Sequence, residues 1–161
     1  MLFLLATPEY NNTQSNTTKV KVHLRSGVAE ILDQHQDLMG KVENNIIEIE
    51  TNNDNKTDKI LFVLQDAVFV VSNQGLDSTA ENKGTGVYVY AKRVKEINSS
   101  ISIDDISKEM EQKNSLVEQD KQKLLDNNNP ASNLVVNSKI LLLEDEIKFL
   151  EKVQVVIKAA K

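Results

Sequence analysis

Two histidines, His23 and His35, are the only imidazoles in 161 residues, and no cysteine accompanies them. Neither has a companion at ligand spacing such as His-x-x-x-His, so a zinc site would have to draw carboxylates from remote segments. His23 lies in an alternating stretch and reads as a solvent-side strand residue, and His35 reads as a loop residue. Without cysteine there is no disulfide scaffold, thiolate metal site or thiol nucleophile. No Walker loop, Gly-x-Gly-x-x-Gly string or nucleophile elbow occurs, and five glycines are too few for a phosphate cradle. Asp104-Asp105 reads as acid placed in a first helical turn, where the dipole favours it. Glu144-Asp145-Glu146 reads as an exposed helical face paired with Lys148. Nothing here is assigned as a catalytic, metal-ligating or cofactor-binding residue, so the chain reads as a non-enzyme.

The elements around these residues read as those of an interaction subunit. At 161 residues the chain has room for one moderate domain or two very small ones. The composition is 40% hydrophobic and 27% charged, with 4% aromatic residues and no tryptophan, so the core must be aliphatic. A net charge of −5 with only two arginines, Arg25 and Arg93, excludes a phosphate-tracking nucleic-acid surface. Seventeen asparagines and 17 lysines against two prolines reflect an AT-rich coding bias. The apolar run at Met1 to Ala6 is interrupted by Thr7-Pro8-Glu9, too early for a secretory signal, and reads as a first strand. The longest apolar candidate span, Leu134 to Leu143, is broken by Asn137, Ser138 and Lys139 and falls short of the roughly 20 residues needed to cross a bilayer. A soluble, cytoplasmic chain with no direct membrane insertion is expected.

As far as Asn98 the pattern has a period of two or consists of short apolar bursts between turn residues. Val20, Val22 and Leu24 alternate with Lys19, Lys21 and His23, which gives one buried and one wet face. Val28 to Leu32 and Ile46 to Glu50 predict further strands, and Asn52 to Asp58 closes a hairpin. Ile60 to Leu64 and Ala67 to Val71 predict two central strands joined by a tight turn at Gln65-Asp66. Ser72 to Gly86 predicts a long exposed loop, followed by a strand in which Val87, Val89 and Ala91 alternate with Tyr88 and Tyr90.

Near Ile97 to Ile101 the period changes to that of a helix, which sets a boundary between a β-sandwich domain at 1–98 and a helical hairpin at 99–161. Ser102 with Asp105 has the form of a capping box, and Ile103, Ile106, Met110, Val117 and Leu124 recur at helical spacing as far as Asp126. Asn127-Asn128-Asn129-Pro130 breaks the helix, and a second is predicted from about Ser132 to Ala160. Its residues Val136, Ile140, Leu143, Ile147, Leu150 and Ile157 form the seam for an antiparallel partner. Leu134, Val135, Leu141, Leu142, Val153, Val155 and Val156 lie outside that seam, so this helix must also pack on the sandwich or on another protein. The fold class is an all-β N-terminal sandwich followed by an antiparallel α-helical hairpin.

This order of elements resembles the epsilon subunit of F-type rotary ATPases, called delta in mitochondria, over nearly the whole chain. Leu2 to Glu9, LFLLATPE, is similar to the family's opening strand with its Thr-Pro-Glu turn. Lys19 to Leu38, KVKVHLRSGVAEILDQHQDL, resembles its strand, turn, strand and Pro-Gly-His-Ala-Pro-Leu loop, matching at Gly27, His35 and Leu38. NNIIEI at Asn44 to Ile49, Ile60 to Val70 and Val87 to Val94 resemble the strands that follow. The resemblance implies a central-stalk rotor subunit whose sandwich binds the gamma subunit and whose hairpin reaches the catalytic alpha/beta head and modulates hydrolysis. It implies a gamma-facing and ring-facing loop at His35, Gln36, Asp37, Leu38 and Met39, and a hairpin interface at Leu141, Leu142, Val153 and Val156. The chain would then be peripheral on the cytoplasmic face of the cell membrane.

Departures from the family qualify these expectations. Asp33-Gln34 stands where the family has Pro-Gly, and Asp37 where it has a proline, which argues against docking on a c-ring. Ile103-Asp104-Asp105-Ile106-Ser107-Lys108 keeps the aspartate of the family's ATP-binding string but lacks its arginine, so no ATP or other cofactor is expected to bind. Two alternatives stay open. One is the equivalent subunit of an F-type-like ATPase coupled to another machine such as a motility apparatus. The other is a stand-alone adaptor that dimerises through its hairpin.

Overall fold

The computed structural model of the chain describes residues 1–53, 56–73 and 84–160. The chain divides into two compact units, Met1–Asn98 and a second that begins at Ser99. In the first, eight strands run β1 (Leu2–Ala6), β2 (Asn11–Gln14), β3 (Thr17–Leu24), β4 (Gly27–Leu32), β5 (Leu38–Val42), β6 (Asn45–Asn53), β7 (Lys56–Ser72) and β8 (Gly86–Ile97). Their order in the sheet is β2-β1-β8-β7-β6-β3-β4, and β5 also pairs with β7. All neighbours are antiparallel except β1 and β8, which run parallel.

The centre of this unit corrects one sequence expectation. Gln65-Asp66 is not a turn between two strands, because β7 passes through it as one strand of 17 residues. What the sequence pattern registers is a change of face. Phe62 and Leu64 point into the apolar core, and so do Ala67, Phe69 and Val71, so the alternation skips one residue at Asp66. Asp66 takes a left-handed φ of 47°, a conformation that aspartate tolerates better than most residues. The partners reverse at the same level. On one side Val42 of β5 faces Ala67 and Asn45 of β6 faces Leu64, so the gap between β5 and β6 lies opposite the kink, with Asn44 at φ 37°. On the other side the inward set of β8 changes from Val87, Val89 and Ala91 to Val94. The sheet thus folds over a corner and encloses one cluster, in which Phe3 of β1 stacks on Phe62 at 6.2 Å between centroids. Gln65, buried at this corner, accepts a hydrogen bond from Arg93 Nη1.

The outer face of β3 carries the polar half of the alternation as predicted. Lys19 pairs with Glu50 at 3.1 Å, Lys21 with Glu30 at 3.1 Å, and His23 Nε2 lies 2.7 Å from Glu48. Two strands, β2 and β5, were not expected from periodicity, since Asn11-Asn12-Thr13-Gln14 has no apolar residue and β5 is only five residues long. Asn52, Asn53 and Lys56 to Asp58 belong to the ladder between β6 and β7 rather than to a loop. The predicted exposed loop at Ser72 to Gly86 is shorter at both ends: Ser72 and Gly86 pair with each other, and Thr85 is buried. Residues 74–83 of that loop lie outside the described residues.

The second unit is a hairpin of α1 (Ile103–Asp126) and α2 (Pro130–Ala160). Ser102 caps α1 by accepting from the Asp104 amide at 3.1 Å, one residue earlier than a capping box with Asp105 would require. Helix α2 starts two residues before the position expected, at Pro130. Proline ends a helix when it is internal, but at the first helical position its missing N–H costs nothing, and Asn129 caps that start by accepting from the Ala131 amide. Val117, Ile140 and Ile147 form the centre of the seam, joined by Met110, Leu124, Val136 and Leu143.

Packing at the corner yields a test. A Cβ built on Gly40 of β5 would lie 2.5 Å from Cε1 of Phe69, a ring that is itself buried in the core. Gly40→Ala is expected to destabilise the chain by about 1–3 kcal/mol through overpacking, read from denaturant midpoints.

Candidate functional site

The segment from His35 to Met39 joins β4 to β5. His35, Gln36 and Asp37 form the connection, and Leu38 and Met39 open the strand. The segment is held by side chains from the far ends of β7 and β8. Asn73 donates through Nδ2 to the His35 carbonyl at 2.5 Å, and its amide donates to Asp37 Oδ1 at 3.0 Å. Thr85 Oγ1 donates to Asn73 Oδ1 at 2.7 Å and accepts from the Gln34 amide at 2.6 Å. Gln34 needs this support because it sits at a left-handed φ of 63°. The Thr85 hydroxyl beside it, then the charge of the chain's amino terminus and the backbone amides of Thr85 and Gln34, hold the Asp33 carboxyl below its usual value of 3.8. His35 uses Nδ1 on the neighbouring Gln36 carbonyl at 2.7 Å. The loop is therefore rigidly presented, and what it presents is apolar: Met39 is 73% exposed, Leu38 36%. Met39 stands across from Val70 of β7, and one step along the same face Lys41, Val68 and Tyr90 lie in register, with Val68 and Tyr90 exposed.

The hairpin residues chosen from sequence fall into two pairs. Leu141 and Leu142 are 67% and 56% exposed, whereas Val153 and Val156 are buried. Leu134 and Val135 share the exposure of the first pair, at 69% and 70%. Two acids of the run on α2 pair across the hairpin. Lys113 of α1 donates to Glu146 at 2.6 Å, and Lys121 lies 3.6 Å from Glu144.

Inside the seam one carboxylate escaped the sequence reading. Asp120 is buried, with Lys123 Nζ at 2.7 Å from Oδ1 and Lys139 Nζ of α2 at 3.0 Å from Oδ2. Hydrogen bonding from Lys123 and then Lys139 pulls its carboxyl below the ordinary value. Its position was legible in the spacing: Ile103, Ile106, Met110, Val117 and Leu124 leave 113 and 120 as the remaining steps of one 3-4 series. Charged residues at those two steps interrupt the apolar pattern that marks the series in sequence. Asn73 and Thr85 had no such signal, since their contacts join segments far apart in the chain.

No group of three or more His, Asp or Glu side chains is placed to hold a metal ion among the described residues. A shallow cleft of about 350 Å³ beside β5 is lined by Leu24, Arg25, Ser26, Gly40, Lys41 and Glu43, with Lys41 bonded to Glu43 at 3.1 Å. Among the described residues, no helix is long and apolar enough to cross a membrane. Exposed apolar side chains among the described residues include Met39 at the start of β5 and Leu134, Val135, Leu141 and Leu142 on α2.

Two expectations follow from these networks. Thr85→Val keeps the shape and removes the hydroxyl, so amide exchange at Gln34 should accelerate and the Asp33 carboxyl should titrate closer to 3.8 by NMR. Asp120→Asn should lower the unfolding temperature at neutral pH. Because the folded value of Asp120 is depressed, its contribution is complete above the unfolded value and fades as pH falls through the lower folded one. The gap between wild type and variant should therefore narrow below pH 3.8.

No protein-family model matches this sequence, and no curated protein does. Among solved structures, the chain is similar to one in the Euglena gracilis mitochondrial ATP synthase, in the OSCP/F1/c-ring structure, at 12% identity. That match covers 89% of this chain and 76% of the other, with a TM-score of 0.49. It is also similar to a chain of the Tetrahymena thermophila mitochondrial ATP synthase central stalk and c-ring structure, at 10% identity over 66% of this chain and 69% of that one, with a TM-score of 0.45.

Proposed function

We propose that this chain is a non-catalytic central-stalk subunit of an F-type rotary ATPase, which binds a gamma-like subunit through its strand unit and the catalytic alpha/beta head through its hairpin. The observation that carries the reading is, among the described residues, the succession of eight strands around one apolar core and a hairpin with helices of 24 and 31 residues. It occurs in a chain whose opening, loop and central-strand strings resemble the epsilon family. The sheet face that carries Met39, Val68 and Tyr90, with Lys41 among them, is the gamma-facing surface, since exposed apolar and aromatic side chains on a sheet are the kind of anchor that dominates protein interfaces. The hairpin modulates hydrolysis by its contact with the head and does not hold ATP. The assembly works on the cytoplasmic face of the cell membrane, with this chain peripheral to it.

A second reading is favoured by the β4–β5 loop. Asp33, Gln34 and Asp37 replace the family's Pro-Gly and proline and are bonded into a network with Asn73 and Thr85. A loop rebuilt in this way suits a stalk foot that meets a partner other than a proton-driven ring, as in an ATPase coupled to motility.

Affinity purification of the tagged chain from its native cells tests both. A gamma-like coiled-coil subunit and catalytic head subunits are expected in the eluate, and Met39→Glu should reduce gamma recovery about tenfold or more. Recovery without any such subunit refutes the stalk reading, and membrane-ring subunits in the eluate refute the second.

A further inference from the structure

Helix α2 carries an apolar stripe that does not belong to its seam. Leu134, Val135, Leu141 and Leu142 are all more than half exposed, and at 3.6 residues per turn their centre lies about 150° round the helix from the seam. The stripe repeats with a period of seven: Ala131, Leu134 and Val135, then Ser138, Leu141 and Leu142. No charge falls within it before Asp145, in a chain that is 27% charged.

We infer that this stripe is a docking surface for a second copy of the same chain, paired antiparallel about a two-fold axis at Ser138. The residues are disposed symmetrically around that point. A two-fold there sets Leu134 against Leu142 and Val135 against Leu141 of the partner, and Ser138 against itself, where a small side chain lets two helices approach closely. An isologous interface requires this self-complementarity, whereas a stripe shaped for a different protein does not. The overlap is limited to residues 131–145, so the buried Phe149, Val153 and Val156 of each copy lie beyond the turn of the other and need not be uncovered. Four aliphatic side chains with Ala131 offer roughly 500 Å² per copy, or about 1,000 Å² in all, the lower bound of a specific interface. The dimer is accordingly weak and dependent on concentration.

The inference does not rest on the stalk reading, and its test addresses a different partner. In sedimentation of the full chain, mass should rise from one copy towards two as concentration approaches the millimolar range. Leu142→Gln should weaken association about tenfold. Val155→Gln, an exposed apolar residue off the stripe, should leave it unchanged. The chain has no cysteine, so single cysteines report position cleanly. Ser138→Cys should form a disulfide-linked dimer on mild oxidation, and Ser115→Cys on the exposed side of α1 should not. All these sites are exposed, so the variants keep their fold, as circular dichroism would verify. A chain that stays monomeric at millimolar concentration, or that crosslinks equally at both positions, overturns the inference and assigns the stripe to a different protein.

Discussion

A strand has two faces, and a sheet that folds over itself must decide at the fold which face stays inside. In this chain the decision is made at one level across three neighbouring strands. Asp66 adopts a left-handed backbone, Asn44 does the same in the gap between β5 and β6, and β8 changes its inward set between Ala91 and Val94. If only one of the three reversed, the others would direct polar residues into the core or apolar ones into water, at about 1–3 kcal/mol for each polar group left unsatisfied. Gln65 shows how the corner copes with what cannot be turned outward: it is buried, but Arg93 occupies its oxygen. The parallel pairing of β1 with β8, and the polar network at the β4–β5 loop, both depend on β7 and β8 running continuously through this corner to reach the other half of the sheet.

The hairpin solves a different problem. Two long apolar helices can slide past each other by a turn or pack in alternative registers, because aliphatic contacts are poorly directional. Charges placed in the seam remove that freedom. Lys113 meets Glu146 and Asp120 meets Lys139, so the polarity of the cross-helix pair reverses along the hairpin, and a shift of register would part the buried Asp120 from its cross-helix cation. Ser107 adds a third fixed point by accepting from Gln154 at 2.7 Å. Apolar packing supplies the attraction and these polar pairs supply its address.

What the sequence could reveal follows from the range of the interactions. The helices, their division from the strands and most of the strands were legible because each depends on neighbours a few residues away: Ser102 before Asp104, the 3-4 series of α1, the alternation of Val20 to Leu24. Pro130 was misread because proline has opposite meanings inside a helix and at its first position, and only the Asn129 cap distinguishes them. Asp66 reads as a turn in sequence because a change of face and a chain reversal leave the same local trace, an aspartate between two apolar bursts. They differ only in what pairs on either side. The network of Asp33, Gln34, Asn73 and Thr85 is out of reach for the same reason: Gln34 and Thr85 alone are 51 residues apart and no spacing rule links them.

In the loop that sequence resemblance singled out, the histidine is less consequential than the residues around it. His35 spends its ring nitrogen on the next carbonyl, while its own carbonyl and the Asp37 carboxylate are fixed from β7 by Asn73, and Asp33 and Gln34 from the start of β8 by Thr85. The effect is to hold Leu38 and Met39 on a short strand whose other end is pinned by Gly40 under the Phe69 ring. A flexible apolar loop would lose conformational entropy when it bound a partner, and each immobilised side chain would cost about 0.5–1.5 kcal/mol of affinity. Here that ordering occurs when the chain folds, at the expense of folding stability, and binding is left with apolar area to bury. The bare face of α2 follows the same economy by another route, since Leu134, Val135, Leu141 and Leu142 are held on a helix whose opposite face is already locked to α1. In a chain without reactive side chains at either place, preorganised apolar area is the means by which it can act on something else.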